Sequence, residues 1–233
     1  MRNAASSSNS LQRQDKIPFW IPLLGLLIMV AALSFQLDDP VARFFNQHRS
    51  PSLNLVDRFC NKWGDWPALF LFGTCGIALA WLNGRKRLLQ ILLAMLLSCM
   101  LSGVFANCIR FASGRSRPGA DVPQGFYGIV TEGGLFNHMN KFRSFPSAHT
   151  ACAVGFTAVV LFAEWRAGIF ILLAGMAVGC ARLYSGAHHF SDVVVGAMLG
   201  IGTAWWSWKQ LSRNPRVVEA MLRWRSALFG GFF

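Results

Sequence analysis

Three short polar clusters in this 233-residue chain hold the side chains best able to do chemistry. The first runs from Arg110 to Arg117-Pro118. The second is Pro146-Ser147-Ala148-His149. The third runs from Arg182 through His188 to Asp192. Guanidinium groups present planar forks that match the oxygens of a phosphate. Arg110, Arg117 and Arg182, with few acids in the same clusters, therefore point to an anion site. For any one of them, simple flanking charge is the plainer alternative. Pro146-Ser147 stands just before an apolar run and reads as a helix start. The free N–H groups and dipole there favour a bound anion. The Ser147 hydroxyl adds a donor, or serves only as the cap.

His188 and Asp192 are four residues apart, so on one helix face the carboxylate can orient the imidazole and leave its other nitrogen free to attack phosphorus. A structural His–Asp pair at a helix end is the competing interpretation. His149, at the start of the same run as Ser147, is suited to protonate a leaving alkoxide and then deprotonate a water. His189 points elsewhere on a helix, and His138 has no identifiable partner. His149, His188, His189 and Asp192 are also conceivable metal ligands, but three arginines around them would repel a cation, so no metal is expected.

Apolar segments must position these clusters. The chain is 54% hydrophobic and only 14% charged, against about 25% charged in an ordinary soluble domain, and its mean hydropathy is +0.40. Six apolar runs stand out: Ile17 to Phe35, Trp66 to Leu82, Leu88 to Ile109, His149 to Ala163, Ala167 to Ala181 and Phe190 to Trp208. Each is near the length of about 17–25 residues that spans hydrocarbon, the fourth and fifth at the short end. Their Gly and Ala residues suit close helix packing. The expected fold is an all-α polytopic membrane bundle of about six transmembrane helices. Span parity then puts all three polar clusters at one bilayer face.

Residues 1–15 are Ser/Asn/Gln-rich and are expected to be a disordered cytoplasmic N-terminus, residues 16–209 the membrane domain, and residues 210–233 a basic, aromatic cytoplasmic tail. That tail reads equally as a short interfacial amphipathic helix or as disorder. Eight of the tryptophans fall at the ends of runs, where an aromatic belt belongs. Basic residues in the turns at Arg85–Arg87 and Arg166 and after the last run favour a cytoplasmic location for both termini. The loops of residues 36–65 and 110–146, and the one near His188, then face outward. The net charge of +12 comes with no nucleic-acid motif and is spread between apolar runs, which excludes a nucleic-acid partner and favours the bilayer. Six cysteines without a CxxC pair suggest neither a disulfide framework nor a zinc cluster, but small packing residues.

Taken together, the three clusters resemble the signature of the type 2 phosphatidic acid phosphatase family: Lys-x6-Arg-Pro, then Pro-Ser-Gly-His, then Ser-Arg-x5-His-x3-Asp. Order and spacing match from Arg110 to Asp192, about a third of the chain. Arg110 stands in place of the usual Lys, Ala148 in place of Gly and Ala181 in place of Ser. The resemblance implies that His188 is a nucleophile forming a phosphohistidine. Asp192 would orient it, and His149 would be the general acid. Arg110, Arg117, Ser147 and Arg182 would hold the phosphoryl oxygens, with no cofactor. Arg115, Lys141 and Arg143 lie outside the signature, as solvated loop charges or as contacts to a second phosphate or headgroup. The family also includes soluble vanadium haloperoxidases, a role this apolar chain does not suit.

The expected function is hydrolysis of a lipid phosphomonoester or diphosphate in a bacterial inner membrane, with the site facing the periplasm or outside. Undecaprenyl diphosphate, phosphatidylglycerophosphate, phosphatidic acid and lipid A are the candidate substrates. A lipid phosphotransferase with the same site, and a non-catalytic anionic-lipid binding or transport protein, are the alternatives.

Overall fold

The computed structural model describes residues 20–131, 134–135 and 140–229. The expected disorder of residues 1–15, the start of the first apolar run and His138 lie outside the described residues. Nine α-helices are formed among those described: α1 (Trp20–Gln36), α2 (Asp38–Gln47), α3 (Pro51–Trp63), α4 (Trp66–Leu82), α5 (Lys86–Ser113), α6 (Ala148–Ala163), α7 (Trp165–Tyr184), α8 (Phe190–Arg213) and α9 (Arg216–Phe229). Among these residues the exceptions to the all-α expectation are a two-residue antiparallel ladder, Val130–Thr131 with Gly134–Leu135, and an isolated bridge between Arg115 and Phe126.

The six apolar runs map onto α1, α4, α5, α6, α7 and α8. By length and composition, α5 and α7 can each cross a membrane. The number rises to four if α1–α2, bent by 52°, and α3–α4, bent by 59°, each count as one span; α6 is a shorter apolar helix. At 28 residues, α5 is about 42 Å long, more than the hydrocarbon thickness. It ends at Gly114, whose left-handed φ of 58° closes the helix. A Cβ at Gly114 would collide with the Gly128 backbone.

At the centre lies α6, buried along nearly its whole length and packed against α5, α7 and α8. Small residues permit that crossing: a Cβ on Gly200 of α8 would come within 2.7 Å of the Ala151 carbonyl of α6, so the backbones approach as membrane helices with small interfaces do. The outer faces of α1, α4 and α7 carry exposed Leu, Ile, Phe and Trp, consistent with lipid as their solvent.

Two helices, α2 and α3, fill what reads in sequence as the loop of residues 36–65. Ser50 caps α3 by accepting from Leu53 N at 3.3 Å, and Pro51 occupies its first position. Such a start is favoured because the orphan N–H groups find a partner and proline has none to lose. Tyr184 at the end of α7 fixes α3 in place: its hydroxyl donates to Asn54 Oδ1 at 2.9 Å. Within the basic tail, Arg216–Phe229 form the helix α9, and α8 extends through Arg213. Val218 is buried with Ala80 and Leu89. Trp81 Nε1 donates to the Met221 carbonyl at 2.7 Å, and Lys86 pairs with Glu219 at 2.8 Å.

Candidate active site

All three polar clusters meet at one end of the bundle, where α5 ends, α6 begins and α7 passes to α8. Ser147 is the N-cap of α6, accepting from Thr150 Oγ1 at 2.9 Å and Thr150 N at 3.4 Å. Its hydroxyl is therefore engaged with the helix start, and it is fully buried. Its own N–H donates to the Asp192 carbonyl at 3.0 Å, tying the second cluster to the third. A Cβ on Gly196, nearly two turns into α8, would lie 2.7 Å from the Ser147 carbonyl, so only glycine lets the two segments sit this close.

Arg110, buried in the last turn of α5, donates through Nε and Nη2 to the Pro146 carbonyl at 3.4 and 3.3 Å. The Nη1 of Arg182 donates to Asn61 Oδ1 of α3 at 2.7 Å. The Nε atoms of Arg117, Arg143 and Arg182 are buried without a hydrogen-bond partner, as are both ring nitrogens of His188. Buried donors normally find partners, so this group of unpaired N–H groups is open to an anion. Burial, aided by the charge of Arg143, pulls the Arg117 pKa below the ordinary range against the opposing pull of Asp192.

His188 is 2% exposed and sits in the turn before α8. The helix begins at Phe190, two residues later than a shared His188–Asp192 helix face requires, yet the pair still meets: Nδ1 is 3.6 Å from Asp192 Oδ2. That separation is an electrostatic contact and too long for a hydrogen bond. Burial pushes the His188 imidazole down to about 4. Asp192 opposes the shift, and Arg182 and Arg110 add to it. The ring is thus neutral near pH 7, the state a nucleophile requires. His149 Nε2 lies 3.2 Å from Asp65 Oδ1, and its side chain is 29% exposed. His189, next to His188, turns away: its Nε2 lies 3.2 Å from the Ser116 carbonyl.

The Asp192 carboxylate is not held by His188. Its Oδ1 accepts from Arg115 Nη1 at 2.6 Å, while Oδ2 accepts from Ser144 Oγ and, at 2.9 Å, from His189 N. Arg115 is therefore no solvated loop charge but a buried partner of Asp192. Arg143 is half-buried, with its guanidinium 4.7 Å from the Phe111 ring. Sequence reasoning also passed over Asp38, Asn61 and Asp65. For Asp65 a signal exists: an Asp before Trp66-Pro67 at the head of an apolar run is an N-cap pattern, and its carboxylate accepts from Trp66 N at 2.8 Å. For Arg115, Asp38 and Asn61 no local pattern distinguishes them from surface residues.

Beside these charges a groove of about 650 Å³ runs between α4, α5 and α6. Arg110, His149 and Asp65 line it together with Trp66, Phe70, Met100, Val104 and Phe111. The cluster of charged residues thus adjoins, through Arg110 and His149, a largely apolar groove.

The PAP2 superfamily model matches residues 87–216, more than half of the 233-residue chain. Lipid phosphate phosphatase 1 of Arabidopsis thaliana is 28% identical over 148 residues, covering 53% of this chain and 45% of that protein. A lipid A 1-phosphatase of Rhizobium johnstonii is 32% identical over 110 residues, covering 46% of this chain and 41% of that protein. The chain thus spans about half the length of the curated relatives it matches. A transmembrane PAP2-type phosphatidylglycerolphosphate phosphatase from Bacillus subtilis shares the fold, with a TM-score of 0.57 at 19% identity over 84% of this chain and 97% of that one. With three polar clusters at one end of an apolar helical bundle that holds helices long and apolar enough to cross a membrane, and a family match across α5 to α8, this chain belongs to the PAP2 superfamily, the type 2 phosphatidic acid phosphatases.

Proposed function

We propose that the protein hydrolyses a lipid phosphate or diphosphate at the outer face of a bacterial inner membrane, through a phosphohistidine on His188. Six membrane crossings, made by α1, α4, α5, α6, α7 and α8 with both termini cytoplasmic, fit this orientation. The observation that carries the reading is the union of buried, unpartnered N–H groups on Arg117, Arg182 and His188 with an adjoining apolar groove. The first suits a phosphoryl group, the second a lipid tail.

In this reading the His188 nitrogen remote from Asp192 attacks phosphorus. The N–P bond forms as the bond from phosphorus to the lipid oxygen breaks, and His149 gives its proton to the departing oxygen. Asp192 faces the imidazole as it becomes cationic. Water then attacks phosphorus, His149 takes the water proton, and the P–N bond breaks to release inorganic phosphate. Arg110, Arg117 and Arg182, with the N-terminus of α6 at Ser147, stabilise the charge that builds on the equatorial oxygens. Guanidinium groups in this number do the work a divalent cation does elsewhere, so the reaction needs no metal.

Phosphate release by the purified protein in detergent tests the reading. The panel is undecaprenyl diphosphate, phosphatidic acid, phosphatidylglycerophosphate and lipid A, with and without EDTA. Release by wild type but not by His188→Ala, unaffected by EDTA, is the expected result. Release that EDTA abolishes and a divalent metal restores would replace the arginine mechanism by a metal one. Transfer of the phosphoryl group to an added alcohol with no free phosphate would make the protein a phosphotransferase.

A further inference from the structure

Asp192 is one corner of a second buried charge set. Arg115 reaches it with Nη1 at 2.6 Å, and the same nitrogen donates to Ser191 Oγ at 2.7 Å. The other terminal nitrogen, Nη2, donates to Asp38 Oδ2 at 2.6 Å. Asp38, the first residue of α2, also accepts from Ser191 N at 2.8 Å through Oδ1 and from Ser191 Oγ at 2.9 Å through Oδ2. The side chains of Arg115, Asp38 and Asp192 are 9%, 11% and 0% exposed. Phe35, Phe126 and Phe145 surround the guanidinium, with ring centroids 4.9, 5.1 and 5.9 Å from it.

Such a cluster is not explained by stability alone. Well-packed apolar groups of similar volume often serve a fold as well as a buried ion triad. The charge count is more informative. Two carboxylates and one guanidinium leave one net negative unit behind His188. With Arg115 alone, Asp192 would be neutralised. With neither, the carboxylate would lose the donor that fixes Oδ1. Asp38 offsets Arg115, so Asp192 is both held in place and left effective as an anion. Its Oδ2 is then fixed 3.6 Å from His188 Nδ1.

We propose that Asp38 and Arg115 are positioning residues for the His188 reaction: together they fix the Asp192 carboxylate and hold the charge behind the imidazole at one negative unit. The inference rests on the reading of His188 as the nucleophile. Its physical basis is that the imidazole becomes cationic as the N–P bond forms, and a fixed negative unit stabilises that cation. The charged groups acting on His188 come from several elements: Asp192 from α8, Arg182 from α7 and Arg110 from α5. Asp38 from α2 and Arg115 from the loop after α5 act through Asp192. His189, adjacent in sequence, is turned to the Ser116 carbonyl.

The test is the titration of His188, followed by NMR in histidine-labelled protein, for wild type, Asp38→Asn, Arg115→Gln and the double variant. Asp38→Asn removes one negative charge and should lower the midpoint. Arg115→Gln removes one positive charge and should raise it. Each shift should be about one pH unit for a charge at this range. The double variant restores the net charge and should return the midpoint to within about half a unit of wild type. A merely structural role predicts no opposite shifts and no restoration. Unchanged midpoints, or shifts in the same direction for both single variants, overturn the proposal. If Arg115→Gln does not fold, the near-isosteric Asp38→Asn decides alone by its downward shift or the lack of one. This readout needs no turnover, so failure of the phosphatase reading is seen separately, as wild type releasing no phosphate from the lipid panel. With turnover, both single variants should lower kcat while KM stays within about threefold, and the double variant should recover part of kcat.

Discussion

The Nδ1 of His188 faces Oδ2 of Asp192 at 3.6 Å, although His188 stands outside the helix that carries Asp192. The contact depends on the turn that precedes α8 and on the three donors that hold the carboxylate, not on a shared helix face. It leaves the far nitrogen of the imidazole without a partner, which is the atom the proposed chemistry uses. His188→Ala should therefore reduce phosphate release by at least about 10³-fold, the scale on which removing a covalent nucleophile acts. The variant should elute like wild type in size-exclusion chromatography. Wild type quenched in acid or base during turnover should carry a phosphoryl group that is acid-labile and base-stable. Turnover retained by His188→Ala would remove it as nucleophile.

The depressed His188 pKa makes a prediction about pH. Burial lowers it from the usual 6.5 to about 4, so the folded state prefers the neutral ring. Stability from this group is fully present above about pH 6.5 and is lost as pH falls toward 4. Thermal unfolding in detergent should show a falling midpoint over that window. His188→Phe, which cannot take up the proton, should flatten that part of the slope. The acid limb of kcat/KM should also lie near pH 4, well below the midpoint of a free imidazole.

His149 has a carboxylate facing it as well, Asp65 at 3.2 Å. Asp65 heads α4, so this contact links the fourth helix to the leaving-group side of the site. Asp65→Asn keeps the capping geometry but removes the charge. It should lower kcat by about 10- to 10²-fold with little change in KM, the pattern of a lost transition-state interaction. A rise in KM at constant kcat would instead assign Asp65 to substrate binding. Steady-state kinetics on the best lipid of the panel distinguishes the two.

The groove between α4, α5 and α6 should choose substrates by their tails. Val104 lines it and is 58% exposed, so the bundle has room there for a larger side chain. Val104→Trp should lower kcat/KM for a long-chain lipid phosphate by about tenfold relative to a short-chain analogue, a loss of roughly 1.4 kcal/mol of tail binding. Equal effects on both substrates would show that the tail lies elsewhere.

Much of the helical scaffold was legible in the chain because long apolar runs have few ways to satisfy their backbone groups except as helices. The six runs coincide with six helices, and the Ser147 start of α6 follows from Pro-Ser before an apolar segment. Two short helices were hidden because their apolar residues are interleaved with Asp, Asn and Arg. In α3 the residues Leu53, Val56, Phe59 and Trp63 form a stripe that is faint in a stretch with so many polar neighbours.

The sequence by itself determined the three clusters, their internal spacing and the apolar character of the segments between them. Those are local properties, set by residue type and by positions three or four apart. Only the tertiary structure decided that Arg115 is buried with Asp192 and Asp38, that Asn61 takes Arg182 Nη1, and that Asp65 faces His149. Each of those pairings joins residues more than seventy positions apart. A charged side chain reads alike in sequence whether it meets water or a buried counterion. What distinguishes the two is the close packing of α5 to α8 around α6, which removes water from one end of the bundle.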